Sequence, residues 1–296
     1  MMKSWIKAFR LRTLPLAVSG WMVGLSIAGN ASDLNPSIAG LTLLTAMLLQ
    51  ILSNLANDFG DASSGVDTHR TGEARMVSSG NITAAAMKRA MVLFAILAFV
   101  SGCYLLYLAF AEDWVTAIIF LAIGLIGIAA AIKYTVGKNP YGYAGFGDVF
   151  VFVFFGIVLV FGTYYLQTQT LDWQVLLPAS SLGLFSVGVL NVNNIRDIES
   201  DKASGKHSIP VRLGRNRAVI YHIILLTLGI LSSLIYVIFT FNNWWQFLFV
   251  PVVGLLAKNI NAVKNKPSVE LDPYLKQMAI STLLFSILFS VGQLLS

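Results

Sequence analysis

The chain has 296 residues, is 56% hydrophobic and 11% charged, and has a mean hydropathy of +0.74. With apolar runs close to the ~20 residues that cross a bilayer, this excludes a soluble domain. The net charge of +6 is scattered over membrane-edge loops, which argues against nucleic acid as a partner, and the single Cys103 excludes an intrachain disulfide.

Nine spans are predicted, at 12–29, 37–56, 89–111, 114–132, 147–166, 174–192, 218–241, 244–257 and 277–295. The fold class is therefore all-α, a polytopic membrane bundle around a central cavity. The eighth run has 14 residues and crosses only if it is buried among other helices. Basic residues precede the first run, but no small-residue cleavage site follows it, so no cleavable signal is expected. No low-complexity segment or linker divides 1–296, which reads as one transmembrane domain.

Threading these spans with the amino terminus in the cytoplasm places all 20 Lys and Arg at the cytoplasmic side or at cytoplasmic helix ends. The opposite connections, 30–36, 112–113, 167–173 and 242–243, contain none, as the positive-inside rule requires of a cytoplasmic-membrane protein. Trp5, Trp21, Trp114, Trp173, Trp244 and Trp245 fall mostly near span ends, like interfacial anchors. Cys103 reads as small apolar packing inside the third span. His69, His207 and His222 are not spaced as ligands and are expected at the surface. The fifth span carries Phe150, Phe152, Phe154, Phe155, Gly156, Phe161 and Gly162; it either faces lipid or lines a channel, and periodicity does not decide.

The two longest inner connections, 57–88 and 193–217, carry the acids. Asn54, Asn57, Asp58 and Asp61 close one apolar run, and Asn193, Asn194, Asp197, Glu199 and Asp201 close another. Five of the 14 acidic residues lie in these two segments. A charge near the bilayer centre costs at least ~2.5–3.5 kcal/mol, so carboxylates persist mainly where they work. Asn54, Asp58 and Asp61 lie at i, i+4, i+7, and Asn193, Asp197 and Asp201 at i, i+4, i+8, so each set is predicted to line one helix face. Both segments continue with a Gly and basic residues (Gly65, Arg70 and Arg75; Gly205, Lys206 and Arg212), a pattern that reads as an internal duplication.

Carboxylate and amide oxygens without nearby His or Cys favour Mg²⁺ or Mn²⁺ over zinc. Mg²⁺ seldom sits in an all-protein cage and completes its shell with water and phosphate oxygens. With Arg75, Arg196, Lys202, Lys206 and Arg212 alongside, two such faces on one cavity read as a diphosphate site. The competing reading is that the acids cap helices or pair with basic neighbours on wet loops.

At these residues the chain resembles the UbiA superfamily of intramembrane prenyltransferases, over essentially its whole length. The Asn-Asp-x-x-Asp motif of the family is matched by Asn57, Asp58 and Asp61, and its Asp-x-x-x-Asp motif by Asp197 and Asp201. Further matching segments are Arg10 to Pro15, Arg75 to Gly80, Gly142 to Asp148 and Val211 to Gly214. They are most similar to the menaquinone-pathway branch. Departures are Gly65 where many relatives place a third acid, with Asp67 two residues later, and Asp148 where a Glu is expected.

The resemblance implies transfer of a polyprenyl group from polyprenyl diphosphate to 1,4-dihydroxy-2-naphthoate with loss of carboxylate. It implies Asp58, Asp61, Asp197 and Asp201 as catalytic metal ligands for Mg²⁺, or Mn²⁺, at the cytoplasmic face. Asn54, Asn57, Asn193, Asn194, Arg75, Lys202 and Lys206 become substrate contacts, and Asp67 a secondary ligand. Tyr134 and Lys138 match a Tyr-x-x-x-Lys element that contacts diphosphate or shields the cation; Tyr134 reads equally as an interfacial anchor. Asp148 orients or deprotonates a ring hydroxyl, or simply starts a helix. Arg12 holds the acceptor carboxylate or signals topology. The prenyl tail would lie in a groove open to membrane lipid. The alternatives are a relative acting on 4-hydroxybenzoate, homogentisate or haem, and an ion or solute transporter. Transporter acids, however, usually sit at the bilayer midplane. The Asp-Gly-x-x-Ala-Arg element of CDP-alcohol phosphotransferases is absent from the sequence.

Overall fold

The computed structural model describes residues 2–64 and 75–296. Among them, nine helices are long and apolar enough to cross a membrane: Leu14–Ala31, Pro36–Ser64, Ala84–Ala109, Trp114–Lys133, Gly147–Thr168, Trp173–Arg196, Arg215–Phe239, Trp244–Asn265 and Asp272–Leu294. They are called the first to ninth spans below. No strand occurs among the described residues.

The four spans that start at the Lys- and Arg-free end share a local cause. Asn35, Asp113, Asp172 and Asn243 each place a side-chain oxygen on an amide of the first turn, at 2.9–3.1 Å. These caps satisfy donors that lipid cannot, and the carboxylates among them also meet the positive end of the helix dipole.

The sixth span is the centre of the bundle, with 72% of its apolar window buried, and the fourth is the rim, with 6%. Between helices in lipid there is no hydrophobic driving force, so close packing and hydrogen bonds hold them. Phe185, Phe249, Phe285 and Phe289 are fully buried and join the sixth, eighth and ninth spans, the 185–285 rings meeting edge to face at 4.9 Å. Gly156 lets the fifth span lie directly on the sixth, since a Cβ there would fall 2.5 Å from the Ala179 carbonyl. Around this contact, Phe152–Phe161 winds as a wider π-helix. A second packed group, with Leu52, Leu55, Met76, Met87 and Met91 fully or almost fully buried, joins the second and third spans to the turn after residue 75.

Three expectations need correction. The eighth span does not stop at 257 but runs to Asn265, because its polar residues find partners inside the protein. Asn259 bonds His222 at 3.0 Å and the Tyr274 carbonyl at 2.9 Å, while Arg215 caps the Val263 carbonyl at 3.0 Å. His222 is accordingly buried in the bundle, not at the surface, whereas His207 is exposed. Third, Asn193, Asp197 and Asp201 do not share one straight helix face. The sixth span ends at Arg196, Asp197 breaks it at φ −94° and ψ 12°, and Asp201 sits on a separate short helix, Ile198–Ala203.

Candidate active site at the acidic end of the bundle

The second span stays helical to Ser64, so Asn54, Asn57, Asp58 and Asp61 all project from its last turns. Gly60 makes this possible: a Cβ there would lie 2.5 Å from Thr135 Oγ1. The chain leaving the fourth span therefore presses against the acidic helix. The Thr135 hydroxyl reaches the Ala56 carbonyl at 2.9 Å and Asn57 Oδ1 at 3.3 Å.

Each acid has a different environment, and all four are buried. The two Asp58 oxygens accept the backbone N–H groups of Met76 and Val77, both at 2.9 Å. Asp58 thus anchors the turn that follows Arg75. Asp61 pairs with Arg75 and accepts the Tyr143 hydroxyl at 2.9 Å. Asp197 is gripped at both oxygens by Arg196, at 2.8 Å each. Asp201 pairs with Lys206 at 3.2 Å and accepts a longer bond from Ser208.

A cavity of about 370 Å³ opens beside these groups. Asp61, Asn57 and Asn54 of the first acidic segment line it, together with Asn193 and Lys206 of the second. The two segments therefore do share one cavity, although Asp58, Asp197 and Asp201 are not among its lining residues. Among the described residues, the charged side chains on the wall are Arg10, Arg12, Arg75, Lys206 and Asp61. Four of these five are cations, the donors that a polyanion would need, and in the ligand-free site Arg12, Arg75 and Lys206 are balanced by Asp272, Asp61 and Asp201. The other lining residues are mostly apolar. Asp61 and Thr42 both line the cavity from one helix, and the residues between them carry it ~28 Å along the second span at 1.5 Å per residue. Phe150, Phe154, Phe155 and Gly162 form part of its wall, while Phe152 packs on Gly183 instead. The fifth span thus serves the channel with one face and the bundle core with the other.

Tyr134 and Tyr141 also line the cavity, with ring centres 5.4 Å apart, and Tyr141 stacks on Phe150 at 4.0 Å. Burial, and then the charges of Asp148, Asp61 and Asp201, push the Tyr134 hydroxyl above the ordinary phenol range, so it stays a donor. Other expected contacts fall elsewhere. Lys138 and Lys202 are exposed and are not lining residues. Arg212 is exposed and spent on the Ala144 and His207 carbonyls at 2.6 and 3.1 Å. Arg196 is not a lining residue; it is buried behind Asn193 in ion pairs with Asp197 and Asp272. Asp148 is buried at the start of the fifth span, where it accepts the Tyr221 hydroxyl at 2.9 Å. Asn194 is buried with its Oδ1 unpartnered. Asp67, with Gly65, His69 and Arg70, lies outside the described residues.

Sequence reasoning missed Thr13, Thr135 and Tyr143. The Thr13 hydroxyl accepts from Gln50 at 3.1 Å and Asn54 at 2.9 Å and bonds the Arg10 carbonyl at 3.0 Å, so it docks the amino-terminal segment on the second span. Arg10 is held there at φ +50°, a left-handed conformation rare for a bulky residue. No periodicity reports such contacts; Thr13 and Tyr143 lie within the matching segments 10–15 and 142–148, and nothing in the sequence marked Thr135.

Among the described residues, no group of three or more His, Cys, Asp or Glu could hold a metal by itself. The oxygen-only donor set and the cationic wall do fit a hard divalent cation shared with phosphate oxygens.

A helical membrane bundle with a basic, oxygen-rich mouth on a long apolar channel defines a protein that handles a lipid-tailed anion at the membrane edge. The chain belongs to the UbiA prenyltransferase family, whose model matches residues 17–280. It is 43% identical to the 1,4-dihydroxy-2-naphthoate octaprenyltransferase of Haemophilus influenzae, over 99% of this chain and 96% of the relative. It is 41% identical to the Escherichia coli protein of the same description, over 99% and 96%. A UbiA homologue from Aeropyrum pernix K1, 14% identical, superposes with a TM-score of 0.67 over 93% of this chain and 97% of that one, which shows the shared fold.

Proposed function

We propose that this protein, acting as one transmembrane unit in the cytoplasmic membrane, transfers a polyprenyl group from polyprenyl diphosphate to 1,4-dihydroxy-2-naphthoate. The ring forms a C–C bond to the first prenyl carbon as the C–O bond breaks, and that electron pair leaves with the diphosphate. The electron pair released as the ring carboxylate leaves as carbon dioxide restores the aromatic ring, which stays at the dihydroxy level and gives a demethylmenaquinol-type product. The observation that carries this reading is the meeting of both acidic segments on one cavity wall, through Asp61, Asn57 and Asn54 with Asn193 and Lys206, at the head of an apolar channel. The naphthoate acceptor is supported by the relatives at 43% and 41% identity.

Mg²⁺, or Mn²⁺, would be held by Asp61 and by Asp58, Asp197 and Asp201 behind the wall, and supplies Lewis-acid stabilisation of the leaving group. Arg75 and Lys206 bind the remaining diphosphate oxygens. In the ligand-free site these cations pair with Asp61 and Asp201, so substrate binding exchanges one set of ion pairs for another instead of uncovering bare charge. Tyr134, Tyr141 and Phe150 offer ring faces to positive charge developing at the prenyl carbon. The channel beyond excludes water and takes the tail. The Lys and Arg distribution supports a site facing the cytoplasm.

The test is purified protein given Mg²⁺, a polyprenyl diphosphate and either dihydroxynaphthoate or 4-hydroxybenzoate. Prenylated naphthoate product is expected, with turnover lost on EDTA treatment and restored by Mg²⁺ or Mn²⁺. Product from 4-hydroxybenzoate alone, or turnover indifferent to EDTA, would contradict the reading.

A further inference from the structure

Tyr143 lies in the connection between the fourth and fifth spans, and three bonds join it to both acidic segments. Its hydroxyl donates to Asp61 Oδ1 at 2.9 Å and lies 2.7 Å from Ser64 Oγ, at the end of the second span. Its backbone carbonyl accepts the His207 N–H at 2.8 Å. His207 directly follows Lys206, the cavity-lining partner of Asp201, and the Lys206 N–H bonds the Asp201 carbonyl at 2.9 Å. Arg212 reinforces the seam by bonding Ala144 on one side and His207 on the other. One residue therefore holds the cavity-wall carboxylate of the first segment by its side chain and the second segment by its backbone.

We propose that Tyr143 is a positioning residue that sets the orientation of the Asp61 carboxylate relative to Lys206 across the cavity. It thereby sets the affinity for a divalent cation bound jointly with diphosphate; the inference rests on the diphosphate reading above. The physical case is the carboxylate's rotational freedom. Terminal sp³–sp² torsions are broad, and Arg75 restrains Asp61 Oδ2. The Tyr143 hydroxyl restrains Oδ1 and still leaves lone-pair capacity on that oxygen. Partners of this kind, which hold a ligand without touching the ion, typically alter metal affinity ~10–100-fold when removed. Tyr143 touches no reacting atom in this account, so it is not a catalytic residue.

The test is the full-length Tyr143→Phe protein, which keeps the ring and the backbone bond to His207 and loses only the hydroxyl. Two readouts are needed: the Mg²⁺ concentration giving half-maximal thermal stabilisation in the presence of inorganic pyrophosphate, and the Mg²⁺ dependence of turnover. Both half-saturation values are expected to rise ~10-fold, with the KM for the aryl acceptor and the melting temperature without metal close to wild type. Unchanged half-saturation in a responsive background overturns the inference, and so does a lower metal-free melting temperature with an unchanged Mg²⁺ midpoint, which would mark a merely structural role. Wild-type protein that does not respond to Mg²⁺ and pyrophosphate would instead overturn the diphosphate reading, and this inference with it.

Discussion

Asp61→Asn is expected to lower kcat/KM by ~10²–10³, about 2.7–4 kcal/mol of transition-state stabilisation, the loss typical of one preorganised polar group at a developing charge. Asp61 is the one acid among the described residues that lines the cavity. The amide preserves its shape and can still accept the Tyr143 hydroxyl, but it removes the charge that a cation and Arg75 require. Some stability is lost with it, because Arg75 is buried against this carboxylate. Initial rates over donor and acceptor concentrations, read beside a melting curve, separate the two effects. A rate within a few-fold of wild type would contradict the assignment. Asp61 is a cleaner probe than Asp58, whose two oxygens hold the Met76 and Val77 amides. An amide there accepts at only one atom and would disturb the turn as well as the charge.

Arg196→Met is expected to give the larger structural effect. The guanidinium is buried and binds Asp197 at both oxygens, Asn193 at 2.9 Å and Asp272 at the start of the ninth span. It therefore ties the broken end of the sixth span to another helix. Removing one partner of a buried ion pair leaves an uncompensated charge and costs ~3–5 kcal/mol. The single variant should melt well below wild type and lose activity through a misplaced Asp197. Adding Asp197→Asn removes the stranded charge and should recover part of the stability, though not the turnover. If the double variant is no more stable than the single, the charge-compensation argument is wrong.

Much of this architecture was readable from hydropathy. The nine spans appear where the apolar runs do, because lipid leaves a chain few other ways to satisfy its backbone. The asymmetry of Lys and Arg also has a local counterpart: Asn35, Asp113, Asp172 and Asn243 cap the helices at the Lys- and Arg-free end. The eighth span read short because Lys258, Asn259 and Asn261 look like a loop. Its continuation depends on His222 and Tyr274, which lie on the two neighbouring spans, outside the reach of a local pattern. The same long-range pairing buried a histidine that seemed to belong outside.

The acidic segments were visible as residue types and spacing, but their division of labour was not. Regular spacing treats Asn193, Asp197 and Asp201 as one face, yet the helix breaks at Asp197. Spacing also gives no sign that Asp58 anchors a turn while Asp61 meets the cavity. Those roles follow from the turn after Arg75 and from Tyr143, which arrive from other parts of the chain. Lys138 and Lys202 had the right charge in the right segments, but both are exposed and neither lines the cavity.

On this reading the two acidic segments act together on one diphosphate. Mn²⁺ located by its anomalous scattering, in protein bound to an unreactive prenyl thiodiphosphate, tests it most directly. Manganese is expected between Asp61 and the carboxylates of the second segment, with the thiodiphosphate against Arg75 and Lys206 and the tail in the channel past Phe150 and Phe154. Manganese touching neither segment, or a thiodiphosphate bound away from Asp61, would contradict it.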